Sequence, residues 1–135
     1  MKRGLIMKNL AMMFVVSIAI VGLSIRLVAE ELPFALTLGG AKPVAGTSFA
    51  TVPGTVADNA ELVLDVDEPM VIINVFPCNE KGEAKEGASP AIIMIQGGKK
   101  ITIDQTMDKK KLSVGNYIMN IVAGGKTARV MFSVK

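Results

Sequence analysis

Histidine and tryptophan are missing from this 135-residue sequence, and cysteine and tyrosine occur once each. Without histidine the commonest general base is gone. With it go the Ser-His-Asp and Cys-His arrangements, most zinc and copper sites, and any imidazole-held blue-copper centre. A single cysteine, Cys78, forbids an intramolecular disulfide, so a folded domain must be held by its core. Roughly 90 to 100 residues suffice for that. The unpaired thiol reads as buried and inert, the alternative being a link between two chains. One tyrosine and no tryptophan leave no stacking platform for nucleic acid.

Charge is unevenly spread. The first 29 residues hold Lys2, Arg3, Lys8 and Arg26 and no acid, whereas the remainder sets eleven basic residues against all twelve acidic ones. The basic balance of the whole chain therefore belongs to its leader. The rest is close to neutral and lacks the electrostatic footprint of a nucleic-acid binder.

Residues 10 to 25, LAMMFVVSIAIVGLSI, carry no charge and follow that basic start. This is the layout of a secretory signal, and equally of an anchor with its N-terminus in the cytoplasm. Sixteen residues exceed a usual signal core and fall short of the roughly 20 that span a bilayer. Leu27, Val28 and Ala29 extend the run if Arg26 snorkels to the interface. Gly22 and Ser24 permit cleavage after Ser24, while bulky Leu27 disfavours a cut after Ala29. No cysteine follows the run directly, which excludes a lipid-modified leader. No polar face interrupts Leu10 to Ser24, as a buried helix of a cytosolic protein would require. The expectation is a hydrophobic N-terminal helix over 1–29, acting as signal peptide or transmembrane anchor. A linker with a candidate first strand follows over 30–45, and a β-sandwich over 46–135.

From Pro33 onward, short alternating segments are separated by Gly, Pro, Asn and Asp, at the spacing of a sandwich or barrel. Strands are predicted over Phe34 to Leu38, Ser48 to Val52, Leu62 to Val66, Met70 to Phe76, Ala91 to Ile95 and Lys99 to Asp104. Met70 to Phe76 is almost wholly apolar, as a central strand covered on both faces would be. Tyr117 to Ala123 and Thr127 to Val134 flank Gly124-Gly125-Lys126, a hairpin turn. In its second strand Ala128, Val130, Phe132 and Val134 are predicted inward; Arg129, Met131, Ser133 and Lys135 are predicted outward. That strand runs to the terminus and is a candidate free edge.

The segment Leu112-Ser113-Val114-Gly115-Asn116-Tyr117 resembles the tyrosine corner of immunoglobulin-like sandwiches, as found in many bacterial modules of that kind. The resemblance covers about the last 25 residues. It implies an all-β, two-sheet antiparallel sandwich of about seven or eight strands, with the tyrosine hydroxyl bonded to upstream backbone. Met119 stands where an antibody-type domain carries its second cysteine, and the core tryptophan is absent, so that subtype is excluded. A five-stranded barrel and a transthyretin-like sandwich are the rival architectures.

Candidate chemistry is thin. Met70, Met94, Met107, Met119 and Met131 fall singly on separate segments, a pattern of core filling rather than of a thioether copper site. Asp65, Asp67 and Glu68, with Asp58 and Glu61 before them, lack the Asp-x-Asp-x-Asp-Gly spacing of a calcium loop and read as a solvated strand end. Lys109-Lys110-Lys111 reads as a solvated turn rather than a lipid-headgroup site. Gly39-Gly40, Gly97-Gly98 and Gly124-Gly125 precede no helix and are turns, not phosphate loops. No catalytic, cofactor-binding or metal-ligating residue is assigned, and no cofactor is implied.

The expectation is therefore a non-catalytic, extracytoplasmic module in the periplasm, at the cell surface or secreted. It would act through protein–protein contact as an accessory or structural subunit of an envelope or membrane complex. Its partners would be other envelope or membrane proteins or a second copy, and the membrane itself if the leader is uncleaved. The alternative is a secreted module binding a small ligand, a glycan or a metal ion through the loops at Asp65 to Glu68, Cys78 to Pro90 and Asp104 to Lys111.

Overall fold

A computed structural model of the chain describes residues 31–135. The predicted N-terminal helix over 1–29, in either role, lies outside the described residues. Among those described there is no helix, and so none long and apolar enough to cross a membrane.

Eight strands form: β1 (Leu36–Leu38), β2 (Ala50–Thr51), β3 (Glu61–Leu64), β4 (Met70–Cys78), β5 (Ala91–Gln96), β6 (Lys100–Thr102), β7 (Gly115–Ala123) and β8 (Lys126–Val134). They make two sheets, a small one in the order β1-β3-β6 and a large one in the order β2-β8-β7-β4-β5. All pairings are antiparallel except β2 with β8, which is parallel. The architecture is thus all-β and two-sheeted, as expected, though not wholly antiparallel.

The sheets share one core, because alternate residues of each strand point to the same side. Leu36, Leu38, Leu62 and Leu64 of the small sheet meet Val71, Ile73, Ile93, Met119, Ile121, Val130 and Phe132 of the large one. Phe34 joins them just ahead of β1. The even-spaced inward set predicted for the last strand, Ala128, Val130, Phe132 and Val134, is buried as expected.

Two sequence expectations fail at the large sheet. The last strand is no free edge: β2 and the segment after it cover its second half, Val52 N–H donating to Met131 O at 2.9 Å and Val56 N–H to Ser133 O at 2.8 Å. Nor is β4 covered on both faces. It is central in its sheet, between β5 and β7, yet only one face meets the core.

The tyrosine corner forms. Tyr117 opens β7 with its ring stacked on Phe132, centroids 5.6 Å apart, and its hydroxyl donates to the Ser113 carbonyl at 2.8 Å. Gly115 makes the approach at φ +153, a conformation that a side chain rarely adopts. The ring body thereby fills the core while the hydroxyl bonds a carbonyl of the exposed turn before β7.

Candidate interaction surface

The outward faces of the two sheets differ in kind. On the small sheet, Glu61, Val63, Thr37, Lys100 and Thr102 form a mixed polar surface. On the large sheet, the outward residues of β4 are Met70, Ile72, Asn74, Phe76 and Cys78, and those of β5 are Ile92, Met94 and Gln96. β7 adds Asn116, Ile118, Asn120 and Val122; β8 adds Thr127, Arg129, Met131 and Ser133. Arg129 is the one charge among these sixteen.

Strand register arranges these side chains in rows. Ile72 lies opposite Met94 on one side and Val122 on the other. Asn74 faces Ile92 and Asn120, and Asn120 faces Arg129. Phe76, Ile118 and Met131 make the next row, and Asn116 and Ser133 the last, with the Ser133 hydroxyl donating to Asn116 Oδ1 at 2.6 Å.

One end of this face is capped. Cys78, Ile118 and Met131 are buried in a small cluster of their own, with Phe49 and Phe76 packed against it. Met131 was expected to face solvent; Phe49, which precedes β2, covers it. The loop after β4 holds that cap in place. Asn79 Oδ1 accepts the N–H groups of Lys81 and Glu83 at 2.8 and 3.0 Å, and Gly82 lies against the Phe49 ring at φ +79. Burial raises the Cys78 thiol pKa, partly offset by the positive charges of Lys85 and Arg129. The thiol therefore stays protonated and poorly nucleophilic at neutral pH.

The other end is bare. Met70 is 44% exposed, and Ile72 and Val122 are 37% exposed each, beside half-buried Met94 and Ile92. Apolar side chains grouped in this way on one outward sheet face make it a candidate contact surface. This surface is not among the sequence expectations, although its signal is present: β4 and β5 are apolar at odd and even positions alike.

The charged loops are ordered turns. Buried Thr106 donates toward Lys110 O at 2.7 Å and Asp108 Oδ1 at 2.9 Å, and Lys110 N–H donates to Asp108 Oδ1 at 3.0 Å. The Lys110 N–H, then the Thr106 hydroxyl, hold the Asp108 carboxyl below its usual range. The Thr102 hydroxyl, donating at 2.6 Å, does the same for Asp104. Lys109 sits in the left-handed region at φ 62 within this turn. The predicted acidic cluster is not drawn together: Asp65 and Asp67 are exposed, and no group of three or more acidic or cysteine side chains among the described residues is placed to hold a metal ion. The five methionines part likewise. Met119 is in the core, Met131 in the capped cluster, Met70 and Met94 on the bare face, and Met107 in an exposed loop. Compared with known proteins, the chain matches no protein-family model, no curated protein and no solved structure.

Proposed function

We propose that this domain is a non-catalytic immunoglobulin-like module, working outside the cytoplasm as an accessory or structural subunit of an envelope or membrane complex. The observation that carries the contact role is the bare end of the large sheet around Met70, Ile72, Met94 and Val122. A sheet face exposed throughout the life of a monomer would be expected to carry charge, as the small sheet does.

The immunoglobulin-like assignment is supported by strand order. β1, β3 and β6 oppose a sheet in which the penultimate strand lies between the last strand and β4, as in sandwiches of that type. The tyrosine hydroxyl at the start of β7 adds to it. The extracytoplasmic setting rests on the basic, apolar leader alone.

Mild-detergent extraction of native membranes, followed by sizing without denaturation, tests this reading. The chain should migrate with a larger assembly, and Val122→Lys should release it while leaving thermal unfolding nearly unchanged. Its intact mass then shows whether the leader is kept or removed near Ile25 or Glu30. A chain found free and alone in every fraction, with or without the substitution, would overturn the proposal.

A further inference from the structure

The bare end of the large sheet has a polar neighbour. Asn74 of β4, Asn120 of β7 and Arg129 of β8 are cross-strand partners, so their side chains form one row. Ile72 and Val122 flank that row on one side, and Phe76, Ile118 and Met131 on the other. Adjacent strands set its members about 4.8 Å apart. Arg129 and Val122 are diagonal neighbours in this lattice, roughly 7–8 Å apart. One segment laid on Val122 therefore comes within reach of the guanidinium.

Charge is what selects an occupant. Arg129 is exposed and is the only ionised side chain on this face. A second copy laid face to face would bring a like charge and no carboxylate, and an arginine covered without a counter-ion is costly. A lipid surface calls for a cluster of cations, and this face has one. A carboxylate is the match: a guanidinium holds it through two parallel bonds, and the side-chain amides of Asn74 and Asn120 offer donors beside it. Area limits the size of what docks. The four long strands span about 19 by 20 Å, or roughly 400 Å². That is about half of what each partner gives to a standard interface, and it suits one segment rather than the face of a second domain.

We infer that this face takes one apolar segment of a different protein, with apolar side chains on Ile72, Met94 and Val122 and a single carboxylate on Arg129. This rests on the contact-module reading above and adds the chemistry of the partner. Glu31 lines a hollow with Arg129 and is the competitor from within this chain. An acidic side chain on the docking segment displaces it by arriving together with the apolar contacts, which Glu31 alone does not bring.

The test is made in native membranes, with position 129 as the reporter. Arg129→Glu should cut the fraction of chain that migrates in the larger assembly about tenfold or more, because it sets two carboxylates against each other. Arg129→Lys keeps the charge and should stay assembled. It also permits a zero-length link: a water-soluble carbodiimide, added before extraction, should join the introduced amine to the facing carboxylate as an amide. Mass spectrometry of the linked peptide then reads its sequence. The expected peptide comes from another protein and is apolar around one Asp or Glu. Unfolding temperatures close to the parent's establish that both variants fold. An assembly indifferent to Arg129→Glu, no link at all, or a link to a carboxylate of this chain, whether Glu31 or one of a second copy, overturns the inference. If Val122→Lys disrupts the assembly and Arg129→Glu does not, the carboxylate falls and the contact module stands. A parent chain found free in every fraction removes both.

Discussion

The two faces of the large sheet are built from the same strands, and at Met70 to Ile73 of β4 from equally apolar residues, yet they meet opposite fates. Along β4, Val71, Ile73 and Val75 are almost inaccessible, while their neighbours Met70 and Ile72 are 44% and 37% exposed. Nothing in the local chemistry of Ile72 and Ile73 separates them; only the presence of the small sheet on one side does. Apolar composition thus reports what a strand is fit to be covered by, not that this chain covers it. On the outward side Phe49 and the loop after Cys78 cover half the length, and among the described residues nothing covers the other half.

The widest gap between the faces should appear on truncating those neighbours. Ile73→Ala empties a fully enclosed site and is expected to cost about 2–5 kcal/mol, as buried Ile-to-Ala changes do. Ile72→Ala, at a residue 37% exposed with room for water to refill, should cost about 1 kcal/mol or less. Denaturant unfolding of both variants measures the difference. Equal losses would mean that the outward face is covered in solution even in the isolated chain.

The capped half of the outward face is sharpened by Gly82→Ala. A Cβ there would lie 2.5 Å from the Phe49 ring, on backbone at φ +79. The strain should cost about 1–3 kcal/mol, and relieving it pushes Phe49 off its cluster. Cys78 should then react with a thiol reagent many times faster than in the parent, below the denaturant concentration at which the sheet unfolds. Unchanged reactivity would show that Phe49 is not what shields the thiol.

A smaller effect is expected at the inward end of β7. Tyr117→Phe keeps the ring on Phe132 and leaves the Ser113 carbonyl without its donor, for a loss of about 1 kcal/mol. A loss near zero would place water at that carbonyl.

Much of this was legible in the sequence, for reasons that also mark where legibility stops. Alternation in β8 and the spacing Leu112-x-x-Gly115-x-Tyr117 are local signals, and both turned into the expected structure. Sheet membership is not local. Gly97-Gly98 looks like a hairpin turn between β5 and β6, yet the chain crosses there to the other sheet, and Lys99 O accepts the Leu64 N–H at 2.7 Å. The burial of Met131 depends on Phe49, and the parallel pairing that closes β8 depends on Ala50–Thr51. Both partners lie about eighty residues upstream, beyond any windowed pattern. The candidate surface was hidden for a further reason: exposure of Ile72 is the absence of a partner element, and a sequence names no absences of that kind.

The least of the expected effects lies away from both faces, in the turn that carries Asp104 and Asp108. Their carboxyls are held below the unfolded value of about 3.9 by hydrogen bonds made only in the folded turn, chiefly from Thr102 and from the Lys110 N–H. A depressed folded pKa means that the unfolded chain takes up protons first as the solution is acidified. The stabilisation is therefore complete above about pH 4 and is lost as the pH falls through the folded values. Asp108 is exposed and Asp104 only partly covered, so screening keeps the contribution small. The unfolding temperature should be flat from pH 7 to 5 and decline below pH 4, and Asp108→Asn should make that decline shallower without altering the plateau's shape. A Met107–Lys111 turn that merely drifts in solvent would leave the two profiles parallel, and the ordered hydrogen bonds around Thr106 would then have no energetic standing.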